Sequence, residues 1–268
     1  METEPKMRQG ISHRLTHKFK FIGCEILYRE ACFLAAVGPA MVDVEFLRKG
    51  LHDLERTDMS AIIQAAVDAV DPEAGYEAVL LGYARCNDAL VGTTARGIPL
   101  VIPRAHDCIT FFFGSRLAYR EYFDLHPGTY YMTSGWAERN CGEDGDYGKP
   151  AYGREGVMGK LGLADSYEVM VEKYGKENAD FIFTSIGDWR KNYNNCLYLP
   201  MGVADEANLI EDSRRDAEGR NWKFDLHPGD LGLLRRLFEG DWNDDFLVVP
   251  PGSRIIARDD EMVLDAAK

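Results

Sequence analysis

The sequence predicts an α/β fold: a mostly parallel sheet with flanking helices, laid out as two Rossmann-like lobes with a cleft between them. Two observations carry this. Short apolar runs alternate with longer amphipathic stretches, and the runs are bounded by Gly or Pro rather than joined by tight hairpin turns. The strand, helix, strand alternation then recurs in the second half of the chain, as βαβ units require.

In order, Phe19–Gly23 reads as a strand and Glu25 to Ala36 as the helix that follows it. Met41 to Arg48 alternates apolar and polar residues, predicting a strand exposed on one face. Thr57 to Ser60 caps a helix that presents Ile62, Ile63, Ala66, Val67 and Val70 on one face and ends at Asp71-Pro72. Val79–Tyr83 is a buried strand, turned by Arg85 to Asp88 into a short helix through Ala89-Leu90-Val91. Ile98–Ile102 is another, ending in Pro103 to Cys108 before a helix through Phe111, Phe112 and Phe113. Thr129–Thr133 is a strand after a Pro-Gly turn, and Asn140 to Tyr152 is a loop rich in Gly and acids. A helix from Asp165-Ser166 through Tyr174 comes next, then strands at Asp180–Ile186 and Cys196–Leu199. A helix at Pro228–Phe238 and a strand from Phe246 to a diproline turn close the chain. Residues 1–18 form a basic arm, 19–136 the first lobe and 137–268 the second, with one continuous domain as the alternative.

The chemistry lies where strands give way to helices. Cys24, Cys86 and Cys108 each stand at such a junction, and parallel strands bring their carboxyl ends to one edge, where ligands bind in open α/β sheets. A helix N-terminus lowers a thiol pKa, and thiolates bind metals. His106 lies two residues before Cys108, on the same side of an extended segment. A single cysteine is more often a small core residue, but three at one point of a repeated unit predict a shared site. Cys141 would join it only if its loop folds back, and Cys196, at the wrong end of its strand, reads as core. Trp136 would wall the pocket, and Asp188 and Arg190 would face the same cleft. Gly153 to Gly162 fails as a phosphate loop, because Arg154 stands at its first glycine and Leu161 follows Gly159-Lys160.

Bulk properties exclude several classes. A net charge of −13 and a pI near 5.0 argue against nucleic acid, which needs clustered Lys and Arg. No apolar run approaches the length of a membrane span, so a cytoplasmic protein is expected. The six cysteines then read as thiols or metal ligands rather than disulfides.

Five motifs, Gly23-Cys24-Glu25, Leu81-Gly82-Tyr83 with Cys86, Pro99 to Arg104 with His106-Asp107-Cys108, Pro127 to Tyr131, and Leu247 to Gly252, resemble the family catalogued as domain of unknown function 1638. Its members are often encoded beside corrinoid-dependent methyltransferases, so the resemblance implies one-carbon or methylamine metabolism. His106-Asp107-Cys108 is also similar to the His-x-Cys pair of zinc methyltransferases such as cobalamin-independent methionine synthase. There the distant cysteine follows the pair, whereas here Cys24 and Cys86 precede it.

The expectation is a zinc site of Cys24, Cys86, Cys108 and His106, with Tyr83, Arg104, Asp107 and Trp136 as substrate-orienting neighbours. It would act in corrinoid-linked or thiol-linked methyl transfer, with a small-molecule methyl donor or thiol acceptor and a corrinoid protein as partners. Two alternatives keep the thiolates: an iron–sulfur cluster in a redox or reductive-activation partner, and a metal or corrinoid binding module without turnover.

Overall fold

The computed structural model describes residues 17–49, 56–138, 167–185 and 192–268. Strands β1 (Lys18–Cys24), β2 (Met41–Leu47), β3 (Ala78–Gly82) and β4 (Leu100–Pro103) run parallel, in the spatial order β2-β1-β3-β4. Every residue of β3 and β4 is buried, which is why these segments read as unbroken apolar runs rather than alternating ones. The edge strand β2 is mostly half-exposed and keeps its alternation.

Helices cover both faces. On one, α1 (Tyr28–Val37), α3 (Ile109–Phe113) and α9 (Gly232–Glu239) pack over Phe19, Phe21 and Leu80. On the other, α2 (Arg56–Asp68) packs over Ile22, Val79 and Leu81. Phe21 and Ile22 go to opposite cores because successive strand residues point to opposite faces. The Phe21 ring lies across Gly23 and Gly82, where an added Cβ would meet its Cζ at 2.4 and 2.3 Å. These paired glycines let two neighbouring strands end under one ring, just before Cys24.

After α4 (Arg116–Leu125), a second parallel sheet forms from β5 (Thr129–Met132), β6 (Asn195–Tyr198) and β7 (Lys223–Leu226), in that order. Helices α5 (Ser134–Glu138), α6 (Tyr167–Tyr174), α7 (Lys176–Ser185) and α8 (Ala207–Gly219) accompany it. Leu197, Leu199 and Met201 join the same core as Phe111 and Phe112, so the two sheets share one apolar layer. The Asp230 N–H also donates to the Phe112 carbonyl at 2.9 Å, tying a loop after β7 to α3. The chain then returns to the first sheet as β8 (Phe246–Val249), before a hairpin of β9 (Arg254–Ala257) and β10 (Leu264–Ala267).

The architecture is therefore mixed α/β with a mostly parallel central sheet and flanking helices. β8 departs from the parallel pattern, running antiparallel to β4 with Val101 opposite Val248. Residues 180–185, expected as a strand, are the second half of α7, which starts after Gly175 in the left-handed region (φ 75). A short apolar run does not distinguish strand from helix; here a complete helical turn precedes it. The helix expected through Ala89 to Val91 reduces to a 3-10 turn at Cys86–Asp88, because Asp88 itself takes a left-handed φ of 55 and breaks the helical run.

Candidate functional site

The carboxyl ends of β1, β3 and β4 lie side by side, and each carries one of the three cysteines. Cys24 is the last residue of β1 and precedes a 3-10 turn at Glu25–Leu27. Cys86 opens the 3-10 turn after β3, and Cys108 stands directly before α3. Two backbone bonds hold the last pair of loops in register: Arg85 N–H to the Ala105 carbonyl at 2.9 Å, and Cys86 N–H to the His106 carbonyl at 3.1 Å.

This brings the Cys108 thiol into hydrogen-bonding reach of the Cys86 sulfur, with Cys24 close enough to act on Cys108 and to feel the charge of Cys86. All three residues are half-buried, and all are free thiols. Their acidities separate. The Cys108 S–H donates to Cys86 and lowers its pKa below the ordinary thiol value against the opposing effect of burial. Cys108, as the donor, is pushed well above that value, first by this bond and then by burial. Burial pushes Cys24 up to about 12, partly offset by a hydrogen bond from the Ile26 N–H and, less, by the Lys49 ammonium. Position at a helix start therefore does not settle thiolate character here: a neighbouring S–H lowers one thiol, and desolvation outweighs the backbone dipole at Cys24.

Asp107 borders the cluster, and its charge raises the pKa of both Cys86 and Cys108. Its own pKa is raised by burial, although Tyr119 Oη donates to its Oδ2 at 2.8 Å and the Ile109 N–H to its Oδ1 at 3.0 Å. On the Cys24 side, the Lys49 N–H donates to Glu25 Oε1 at 2.8 Å. Lys49 Nζ sits 5.0 Å from the centre of the Trp136 ring and donates to the Trp136 carbonyl at 3.3 Å. Trp136 thus reaches the neighbourhood of Cys24 through Lys49.

Other expected residues stand elsewhere. His106 is exposed and lines a cavity of about 460 Å³ that also takes in Asp107, Tyr119 and Arg116. Tyr83 is buried in the core of the opposite sheet face, with α2. Arg104, expected beside substrate, is buried and donates through Nε to the Phe246 carbonyl at 3.2 Å and through Nη1 to those of Met262 (2.9 Å) and Leu264. Its role in the structure is to bind β4 to the C-terminal strands. Cys196 is core, 3% exposed, whereas Cys141, Asp188 and Arg190 lie outside the described residues.

Lys49, Tyr119 and Arg116 were not singled out from the sequence. The last two ride on α4, whose signal is Ser115: its Oγ accepts from Leu117 N–H and Ala118 N–H as an N-cap should. Three thiols are the soft donors that zinc takes, and they fit it in kind. Among the described residues, however, no three His, Cys, Asp or Glu side chains form a ready-made metal cage.

The model of the family described as Protein of unknown function (DUF1638) matches residues 46–238, well over half of the chain. The match takes in Cys86, His106 and Cys108 and leaves Cys24 and β8 outside. No curated protein and no solved structure matches the chain.

Proposed function

The chain belongs to the DUF1638 family, and we propose that in it Cys24, Cys86 and Cys108 form a thiolate site that takes zinc and serves thiol-linked or corrinoid-linked methyl transfer in one-carbon metabolism. The observation that carries this is the placement of three free thiols at the carboxyl ends of three adjacent parallel strands, with Cys108 hydrogen-bonded to Cys86. A thiophilic cation would displace that proton, since metal binding deprotonates its cysteine ligands. Zinc, when bound, supplies the charge that keeps sulfur ionised at neutral pH.

The chain's own groups do the rest. Cys86 is the sulfur best prepared to be a thiolate, and Cys108 is its hydrogen-bond donor. Lys49 favours the charged form of Cys24. Asp107, held by Tyr119, sets the acidic side of the site. In methyl transfer a thiolate lone pair attacks the methyl carbon, forming a C–S bond while the donor's leaving atom keeps the electron pair of the broken bond. The smaller sheet is read as a second Rossmann-like lobe, the donor entering between lobes as a small molecule or on a corrinoid protein. This reading takes the cytoplasm, which keeps thiols reduced, as the place of action. Acidic net charge sets nucleic acid aside, and among the described residues no helix is long and apolar enough to cross a membrane.

Elemental analysis and an absorption spectrum on protein purified without oxygen test the proposal, repeated on Cys86→Ala and Cys108→Ala. Colourless protein with stoichiometric zinc, lost in both variants, supports it. Brown protein with iron and sulfide transfers the site to electron transfer. Metal-free protein that takes up no added zinc overturns it.

A further inference from the structure

Cys86 and Cys108 are more than neighbours at a sheet edge. The loops that carry them are pinned together by two backbone bonds, Arg85 N–H to the Ala105 carbonyl at 2.9 Å and Cys86 N–H to the His106 carbonyl at 3.1 Å. Within that frame the Cys108 S–H donates to the Cys86 sulfur. The two sulfurs therefore stand at hydrogen-bonding separation, and a disulfide asks that they close to about 2.05 Å. Side-chain rotation can supply that movement, because neither cysteine lies inside a long regular element. Cys86 opens a 3-10 turn that ends at the left-handed Asp88, and Cys108 precedes the first turn of α3.

The surroundings leave an approach to the pair. Asp107, the residue before Cys108, lines the open cavity of about 460 Å³, and its charge acts on both thiols. Both cysteines keep partial exposure. An oxidant little larger than water suits such a place better than a bulky disulfide does. The third thiol is related to the pair differently. Cys24 feels the charge of Cys86 and acts by charge on Cys108. Charge acts at a distance without orienting sulfur on sulfur; the hydrogen bond does orient them, and so marks Cys86 and Cys108 as the partners.

We propose that Cys86 and Cys108 form a redox-active dithiol that hydrogen peroxide closes into a disulfide. The Cys86 sulfur attacks one peroxide oxygen and the O–O bond breaks. The departing hydroxide takes the Cys86 proton and leaves as water, and the sulfur becomes a sulfenic acid. Cys108, already placed against it, attacks that sulfur: the S–S bond forms, the S–O bond breaks, and the hydroxide leaves as a second water with the Cys108 proton. The two thiols together lose two electrons, and one peroxide is reduced to two waters. This step needs no metal. Its consequence for zinc rests on the reading above: a closed pair has no thiolate to offer, so oxidation removes two of the three sulfur ligands.

Peptide mapping of the full chain tests it. Reduced, chelator-treated protein is exposed to hydrogen peroxide, alkylated with iodoacetamide, digested and read by mass spectrometry. A Cys86–Cys108 disulfide is expected, with both thiols lost to alkylation and recovered by dithiothreitol, and with Cys24 still alkylated. In Cys108→Ser the sulfenic acid loses this resolving thiol, so Cys86 should advance to the sulfinic acid, which dithiothreitol does not reverse. The parent's result stands without any variant having to fold. Parent protein in which both cysteines stay alkylated, in which Cys86 reaches the sulfinic acid, or in which Cys24 is the disulfide partner would overturn the assignment. Chelation keeps this outcome apart from the zinc reading: a chain that takes up no zinc can still close the disulfide, and a chain that binds zinc can fail to.

Discussion

Cys86 and Cys108 differ in acidity because one proton serves both: the donor is held protonated, and the acceptor becomes the easier of the two to ionise. Removing the donor should reverse this. In chelator-treated protein, Cys108→Ala raises the pKa of Cys86, so alkylation of Cys86 by iodoacetamide near neutral pH slows severalfold, read by mass spectrometry across a pH series. A Cys86 rate that is unchanged or faster in the variant would mean that the thiol–thiol bond does not control its acidity. Glu30 provides a second titration, away from the thiols. It is 1% exposed, with Ser134 Oγ donating to Oε1 at 3.5 Å and Glu206 nearby, and burial raises its pKa from 4.5 to about 7. The folded chain therefore holds this proton more tightly than the unfolded chain. Stability from this group is full below pH 4.5 and is lost as pH rises to about 7, a loss of about 3 kcal/mol. Urea unfolding of Glu30→Gln should show a flatter pH profile across that window and a gain over the parent at pH 8; parallel profiles would refute the assignment.

Helix α5 sits against the 3-10 turn after β1 so closely that only glycine is accommodated at Gly135: an added Cβ would lie 1.8 Å from the Ile26 carbonyl oxygen. That contact is with backbone and has no side chain to yield. Gly135→Ala should therefore cost about 3 kcal/mol or more, at the upper end of overpacking effects, and displace Trp136 from Lys49. Tryptophan fluorescence with urea unfolding checks both, and a variant as stable as the parent would show that the helix can retreat freely. Much at this scale was legible beforehand. The apolar runs in β1, β3 and β4 end at Gly or Pro, and because all three are parallel their ends coincide; the meeting of Cys24, Cys86 and Cys108 follows from connection order alone. Side-chain direction was not legible. Alternation put His106 with Cys108, but the chain bends at His106 and Asp107 instead of staying extended, so a spacing of two no longer fixes a shared side. Pro103-Arg104 gave no hint that its guanidinium would serve carbonyls more than a hundred residues away, because that depends on β8 and β10 arriving there. An apolar run such as Phe246–Val249 specifies a buried strand and says nothing of its direction.

Across the whole molecule, the chain leaves the first sheet after β4, builds the second sheet, and comes back as β8 beside β4. That return closes the structure over the cavity beside His106 and Asp107. Asp245 borders β8, and Glu261 and Val263 lie in the turn between β9 and β10, so the cavity's far wall comes from the last part of the chain. Its near wall, His106 and Asp107, follows β4 directly. The two are joined at Arg104, whose buried guanidinium meets carbonyls from β8, from the hairpin turn and from β10. Such a charge is tolerated because its donors are met; cut to an apolar chain, it leaves several buried carbonyls without partners. Arg104→Met should therefore lower stability by about 3 kcal/mol in urea unfolding, and raise hydrogen exchange in β8 and β10 more than in β1 and β3. Glu261 and Val263 should loosen with the hairpin turn, while the Cys86–Cys108 bond, which follows β3 and β4, persists. Uniform loss of protection across all strands would instead mean that Arg104 supports the first sheet as a whole, and unchanged stability would mean that water replaces the guanidinium at little cost.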